Sequence, residues 1–151
     1  MPGRAAGGGA AEPKTEPDSH FVALTVLGSA VRIERNWDSG FGGELLVGGL
    51  TDGTALAAWA AGFDLIAYSE RGGGRASLEG AVGTRWPTGL LIGVAAGPVA
   101  ELDDFRRPRL GGQVSLWAFA AVVPFVRLGT VEKSGSFVDV GVRIPLPVWR
   151  W

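Results

Sequence analysis

From Arg75 to Leu102 the chain alternates between two kinds of residue on either side of a Pro-Thr-Gly turn. Ala76, Leu78, Gly80, Val82, Thr84 and Trp86 hold one set of alternate positions; Arg75, Ser77, Glu79, Ala81, Gly83 and Arg85 hold the other. Beyond the turn, Leu90, Ile92, Val94, Ala96, Pro98 and Ala100 alternate with Gly89, Leu91, Gly93, Ala95 and Gly97. Successive side chains of a strand point to opposite faces. The period of two therefore predicts a β-hairpin with one bulky apolar face and one small, polar and charged face.

This texture runs from His20 to the C-terminus. Eight runs predict strands: Phe21–Glu34, Phe41–Leu50, Ala55–Ser69, Arg75–Trp86, Gly89–Leu102, Arg109–Ala121, Val123–Glu132 and Ser136–Val148. The connections alternate in character. "RNWDSG", "ERGGG", "DDFRRP" and "KSG" are polar and mostly longer, whereas "TDGT", "WPTG" and "AVVP" are short. Asp52-Gly53 and Pro87-Thr88-Gly89 are turn signals, because Gly tolerates positive φ and Pro presets the first corner. In an up-and-down meander, alternate connections share an end. Short turns are thus expected at one end and polar loops at the other.

The third run sets Ala55, Ala57, Trp59, Ala61, Phe63, Leu65 and Ala67 against Ala58, Ala60, Gly62, Asp64 and Tyr68. The sixth sets Leu110, Gly112, Val114, Leu116, Ala118 and Ala120 against Arg109, Gly111, Gln113, Ser115, Trp117 and Phe119. The seventh opposes Val122, Pro124, Val126, Leu128 and Thr130 to Phe125, Arg127, Gly129 and, with a one-residue slip, Glu132. The eighth opposes Val138, Val140, Val142, Ile144, Leu146 and Val148 to Asp139, Gly141 and Arg143. In the second, Gly43, Leu45, Val47 and Gly49 fall outside and Glu44 inside; the pattern leaves the phase of the first run open.

Volume decides which face is inside. Eight strands enclose a space just wide enough for side chains to fill. Stacks such as Leu90-Ile92-Val94 and Val138-Val140-Val142-Ile144-Leu146, repeated around the circumference, would overfill it. Gly, Ala and Ser with a few paired charges fit. The bulky face then lies outside, which lipid tolerates, and backbone polar groups can cross lipid only in a closed sheet. The expected fold class is all-β: an eight-stranded antiparallel up-and-down transmembrane β-barrel over residues 20–151, preceded by a disordered tail or linker over residues 1–19. That tail, "MPGRAAGGGAAEPKTEPDS", lacks the apolar residues to form a core.

Composition agrees. Only 19% of the 151 residues are charged and 46% are apolar, while 25 glycines exceed the average usage of about 7%. The net charge of −1 argues against a nucleic-acid partner. The absence of cysteine excludes disulfides and thiol chemistry. The longest uncharged stretch, Leu110 to Val126, falls short of a transmembrane helix and contains Pro124. No secretory signal is visible in Met1 to His20; it was removed, the natural start differs, or the chain is part of a longer one.

Trp59 and Trp86 lie on the apolar face beside short turns, with Trp149 and Trp151 at the same end. Trp37, Phe41, Tyr68 and Phe105 gather at the loop end. Such belts suit amphipathic rings at lipid headgroups. The even strand number, the meander and the aromatic C-terminus resemble the small eight-stranded outer-membrane β-barrels of Gram-negative bacteria. "DVGVRIPL" is similar to their C-terminal β-signal, with Asp139 as its polar residue, Gly141 two on, and Ile144 and Leu146 as the spaced hydrophobics. The resemblance implies the outer membrane, lipid contact and the barrel-insertion machinery as partner. Pro145 and Pro147 depart from a regular ladder, and Trp149 and Trp151 fall out of phase with Val148. A bulge near the end would account for the latter.

The expected lumen charges are Asp64, Arg75, Glu79, Arg85, Arg109, Arg127, Glu132, Asp139 and Arg143, in a salt-bridge network. Catalysis finds little support. His20, the only histidine, stands where tail meets first strand; "ERGGGRAS" lacks a P-loop ending; and no Cys/His cluster suits zinc. Asp103-Asp104 reads as a solvated loop. "RRPR" at 106–109 could meet anionic lipopolysaccharide. The expected function is a non-enzymatic integral outer-membrane barrel with a structural or surface-interaction role, its lumen plugged by side chains, with no cofactor and no metal. A narrow transport pore and a soluble barrel binding an apolar ligand are the alternatives.

Overall fold

The computed structural model describes residues 18–33, 35–52, 56–103 and 107–151. The tail over 1–17, Glu34, the corner over 53–55, Asp104, Phe105 and Arg106 lie outside the described residues. Eight antiparallel strands follow in chain order: β1 (Ser19–Ile33), β2 (Asn36–Leu50), β3 (Ala58–Tyr68), β4 (Gly74–Arg85), β5 (Leu91–Asp103), β6 (Arg107–Phe119), β7 (Val123–Val131) and β8 (Gly135–Arg150). Each pairs with its sequence neighbour, and β8 returns to pair with β1, so the sheet closes into an up-and-down barrel.

The two-residue period lies where the alternation places it. On β3, Asp64 and Ile66 are buried while Phe63 and Leu65 are exposed; on β4, Arg75, Ser77 and Glu79 are buried while Leu78 and Val82 are exposed. On β6, Gln113 and Ser115 are buried and Val114 and Leu116 exposed. The sheet is therefore inverted relative to a water-soluble barrel, with arginines and carboxylates within and Leu, Val and Phe outside. On β1 the inward set is Ala23, Thr25, Leu27 and Val31. Its phase is obscure in sequence because both faces carry bulky residues. Toward the loop end Leu27 and Val31 pack with Ile66 and Tyr68 inside the lumen. Across the barrel Val99, Val131 and Phe137 form a second apolar cluster.

Three expectations need correction. The polar connection "RNWDSG" is largely strand, with Ile33 paired to Asn36, and the described residues of "DDFRRP", Asp103, Arg107 and Pro108, are strand as well. Ladder hydrogen bonding depends on the backbone, so it continues past the point where the apolar alternation fades. The seventh run has no slip, since Val131 is buried and Glu132 is exposed. Tyr68 belongs to the interior and not to an outer aromatic belt.

At the other end the turns follow their residues. Gly89 adopts φ +86° and donates its N–H to the Trp86 carbonyl at 2.8 Å, closing the Trp-Pro-Thr-Gly turn. The β6–β7 corner is tighter still, with Ala121 at φ 72°. The register of β8 against β1 shifts between Val22 and Ala23, where Trp149 and Pro147 are the successive partners. Val148 is thus the extra residue of a bulge, which leaves both Val148 and Trp149 exposed. β7 begins at Val123 opposite Arg143, so among the described residues Ile144–Arg150 has only β1 as a paired strand. Pro145 and Pro147 lie in that edge segment, where a missing N–H is tolerated and discourages pairing with another chain.

Glycine makes room inside. The Trp117 indole lies against Gly83 and Gly93, where a Cβ would overlap the ring and, at Gly93, the Val82 carbonyl oxygen as well. Gly80 faces outward, and a Cβ added there would meet no atom within 4 Å. Gly93→Ala should therefore destabilise the barrel by about 1–3 kcal/mol, since the overlap includes backbone. Gly80→Ala should stay within about 0.5 kcal/mol of wild type. Urea unfolding in lipid vesicles checks the pair, and equal losses at the two sites would contradict this packing.

Candidate functional site: a buried guanidinium–carboxylate lattice

From the middle of the barrel to its loop end, charged inward positions of six strands converge. Arg127 on β7 is fully buried. Its Nη2 donates to Asp64 Oδ2 at 2.9 Å, its Nε lies 3.1 Å from Glu79 Oε1, and its Nη1 lies 3.6 Å from Asp139 Oδ2. These three carboxylates come from β3, β4 and β8. Arg143 on β8 donates to Glu79 Oε2 at 2.8 Å and stands 3.5 Å from Glu44 Oε1. Arg75 on β4 donates from Nε and Nη2 to Glu101 Oε2 at 3.1 and 3.0 Å, with Nη1 3.6 Å from Asp139. Buried charges persist only when paired and hydrogen-bonded, and each of these arginines meets two or three carboxylates.

Neutral groups complete the lattice. The Ser77 hydroxyl donates to Asp64 at 2.6 Å, and the Gln113 amide donates to Glu79 at 2.8 Å. The Tyr68 hydroxyl donates to Glu101 at 3.3 Å. Aromatic faces flank the guanidiniums: Arg75 lies 3.6 Å from the Phe137 ring centroid, and Arg143 4.7 Å from that of Phe125. A cation over a ring face gains from the ring quadrupole without needing water. At the loop end, Arg71 pairs with Glu101, lies over Tyr68, and donates its backbone N–H to Asp38.

Of the sequence-derived lumen charges, the structure brings together Asp64, Glu79, Arg127, Asp139, Arg143 and Arg75. Arg85 is a correction. It shares their strand parity but stands at the end of β4, is half-exposed, and pairs at 2.8 Å with the exposed Asp52. Parity assigns a face, whereas height along the barrel decides burial. Glu132 is exposed, and Arg109 is half-buried at the loop end, where it donates to Ser134 at 2.6 Å. Glu101 and Gln113 are lattice members that the sequence-derived set omits, although both carry the inward parity of their strands.

Glu44, Asp64 and Glu79 offer carboxylate oxygens within 4.8 Å of one another. Asp64 and Glu79 already accept hydrogen bonds from guanidinium groups, so arginine supplies the positive charge there. His20 stands apart, on the outer surface at the short-turn end. It stacks on Trp151 with centroids 5.6 Å apart and meets Trp59 edge-on at 6.3 Å. Backbone hydrogen bonds between His20 and Trp151 hold the chain end against β1. Trp59, Trp86, Trp149 and Trp151 are all exposed at this end, and Trp37 and Phe41 are exposed toward the other. Ile144 and Leu146 point outward, while Asp139 and Arg143 point inward.

The architecture is that of a closed eight-stranded up-and-down barrel with an ion-paired interior. Neither a protein-family model nor a curated protein sequence matches the chain. Among solved structures, Neisserial surface protein A (NspA) is similar, with a TM-score of 0.57 and 10% sequence identity over 84% of this chain and 96% of that one. At that identity the likeness shows the fold.

Arg127→Met removes the cation shared by Asp64, Glu79 and Asp139 and should destabilise the barrel by about 3–5 kcal/mol. Arg85→Met breaks an exposed pair and should cost less than about 1 kcal/mol. Denaturant midpoints of the two variants in vesicles check the contrast, and a mild Arg127 variant would contradict the lattice.

Proposed function

We propose that this chain is a non-enzymatic integral barrel of a bacterial outer membrane, with a structural or surface-interaction role and a lumen closed by its own side chains. The observation that carries this reading is the inverted sheet. Leu24, Leu45, Leu65, Leu78, Val94, Val114, Leu116, Leu128, Val142 and Ile144 are exposed around the whole circumference, while Arg127, Asp64 and Asp139 are buried. An apolar surface that encircles a molecule is unfavourable in water and suits lipid. Exposed Trp at the short-turn end and Trp37 and Phe41 toward the loop end supply rings for two headgroup levels. The likeness to a protein titled a surface protein supports the same reading.

In this reading the short-turn end faces the periplasm and the loop end the exterior. The lattice of Arg75, Arg127 and Arg143 with their carboxylates blocks the water path. Arg107 and Arg109 meet anionic lipopolysaccharide at the loop end. Asp139, Gly141, Ile144 and Leu146 serve as the signal read by the insertion machinery, and Ile144 and Leu146 afterwards face lipid.

The full chain, refolded into detergent micelles, should run at different positions on a gel when boiled and unboiled. In planar bilayers it should conduct no ions above the lipid baseline. A monomer that folds in water without detergent would overturn the membrane reading. Steady conductance from folded protein would replace the plugged barrel with a narrow pore.

A further inference from the structure

The half of the lumen nearest the short turns is built differently from the lattice. It holds a cavity of about 400 Å³. Its wall is mostly hydrocarbon, with Ala58, Ala60, Ala81, Leu46, Leu91 and Phe119 among its residues, and Ser19, Leu50 and Arg150 stand at its strand-end mouth. Small side chains on the neighbouring strands β3 and β4 leave this space open, and it is within the size range that holds small organic ligands.

Three wall residues carry polar hydrogens with no partner among the described residues. They are the Thr25 hydroxyl, the Trp117 Nε1–H and the Arg143 Nε–H. Thr25 and Arg143 are each more than nine-tenths buried. A buried donor without an acceptor is unfavourable, and native interiors leave few of them. The remaining nitrogens of Arg143 already face Glu79 and Glu44 at 2.8 and 3.5 Å, so its charge is matched and its Nε–H is left over. An anionic head would add a further negative charge beside those carboxylates. A neutral acceptor oxygen would satisfy the donors without that repulsion.

We propose that this cavity is a binding site for a small neutral molecule with an apolar body and one hydrogen-bond-accepting oxygen, such as a ketone, ester or amide, entering from the short-turn end. The body fills the space between Ala60, Ala81 and Phe119, and the oxygen accepts from Thr25, Trp117 or Arg143. The site depends on the lumen geometry alone and stands whether or not the loops have a partner.

The test uses the full chain in lipid nanodiscs and fluorine NMR of two probes of like size, 4-fluoroacetophenone and 1-ethyl-4-fluorobenzene. The ketone should show saturable binding over its partitioning into empty nanodiscs. It should bind about tenfold more tightly than the ethyl analogue, as one gained hydrogen bond implies. Ala81→Phe and, independently, Ala60→Leu fill the space and should abolish saturable binding while the gel assay still shows a folded barrel. The double variant Thr25→Val, Trp117→Phe should reduce the preference for the ketone. Non-saturable uptake equal to empty nanodiscs, or unchanged binding in either folded cavity-filling variant, would overturn the site. An ethyl analogue that binds as tightly as the ketone would overturn the role of the donors.

Discussion

Arg127 reaches carboxylates on three other strands, and the rest of the barrel is arranged so that it can. Asp64, Glu79 and Asp139 lie on β3, β4 and β8, so a single guanidinium ties the two sides of the circumference together. Such ties require a dry, narrow interior. Narrowness in turn requires glycine, alanine or serine at many inward positions, as at Gly83, Gly93, Ala95 and Ser115. The lumen holds a limited set of bulky apolar residues, Leu27, Val99 and Phe137 among them, and the rest lie on the outer face. The exposed Leu and Val belt and the buried arginines are two consequences of the same closed, eight-stranded circumference.

That arrangement makes the two ends of the interior different. A hydrocarbon-lined cavity occupies the short-turn end, and the ion-paired lattice runs from the middle to the loop end, where Arg75 and Glu101 lie beside the apolar clusters around Leu27 and Val99. Cohesion across the middle comes from charge. Each arginine is shared by two or three acids, and the acids outnumber the buried arginines, five to three among the described residues. Loss of one arginine therefore strands several carboxylates at once. The outer edge of β8 is handled by different means, with proline at positions 145 and 147, a bulge at Val148 and a ring stack between His20 and Trp151.

Much of this is legible in the chain because a strand period of two is hard to mistake over ten or more residues. It assigns Asp64, Glu79, Arg127, Asp139 and Arg143 to one face, and it places Trp117 inward, where glycines on β4 and β5 receive the ring. What it misses depends on height along the barrel. Arg85 has the correct parity and the wrong level. Glu101 lies near the end of its run, where a charge is easily read as belonging to a loop. β1 is ambiguous because the lumen becomes apolar beside Leu27 and Val31, so neither face is polar enough to set the phase. The cavity is invisible in sequence, since the alanines that line it look like any other small inward residues until the barrel closes around them.

The central claim is that the Leu and Val face meets hydrocarbon, and the absence of cysteine allows it to be tested site by site. Single cysteines in place of Val114, Leu116, Val126 and Val142 would carry nitroxide labels, with the protein in lipid vesicles. Collision rates with oxygen, which concentrates in hydrocarbon, would be compared with those of a water-soluble nickel chelate. High oxygen and low chelate access is expected at all four positions, with the balance reversing for a label at exposed Glu132 in the loop-end turn. Chelate access at the four apolar positions equal to that at position 132 would contradict the claim.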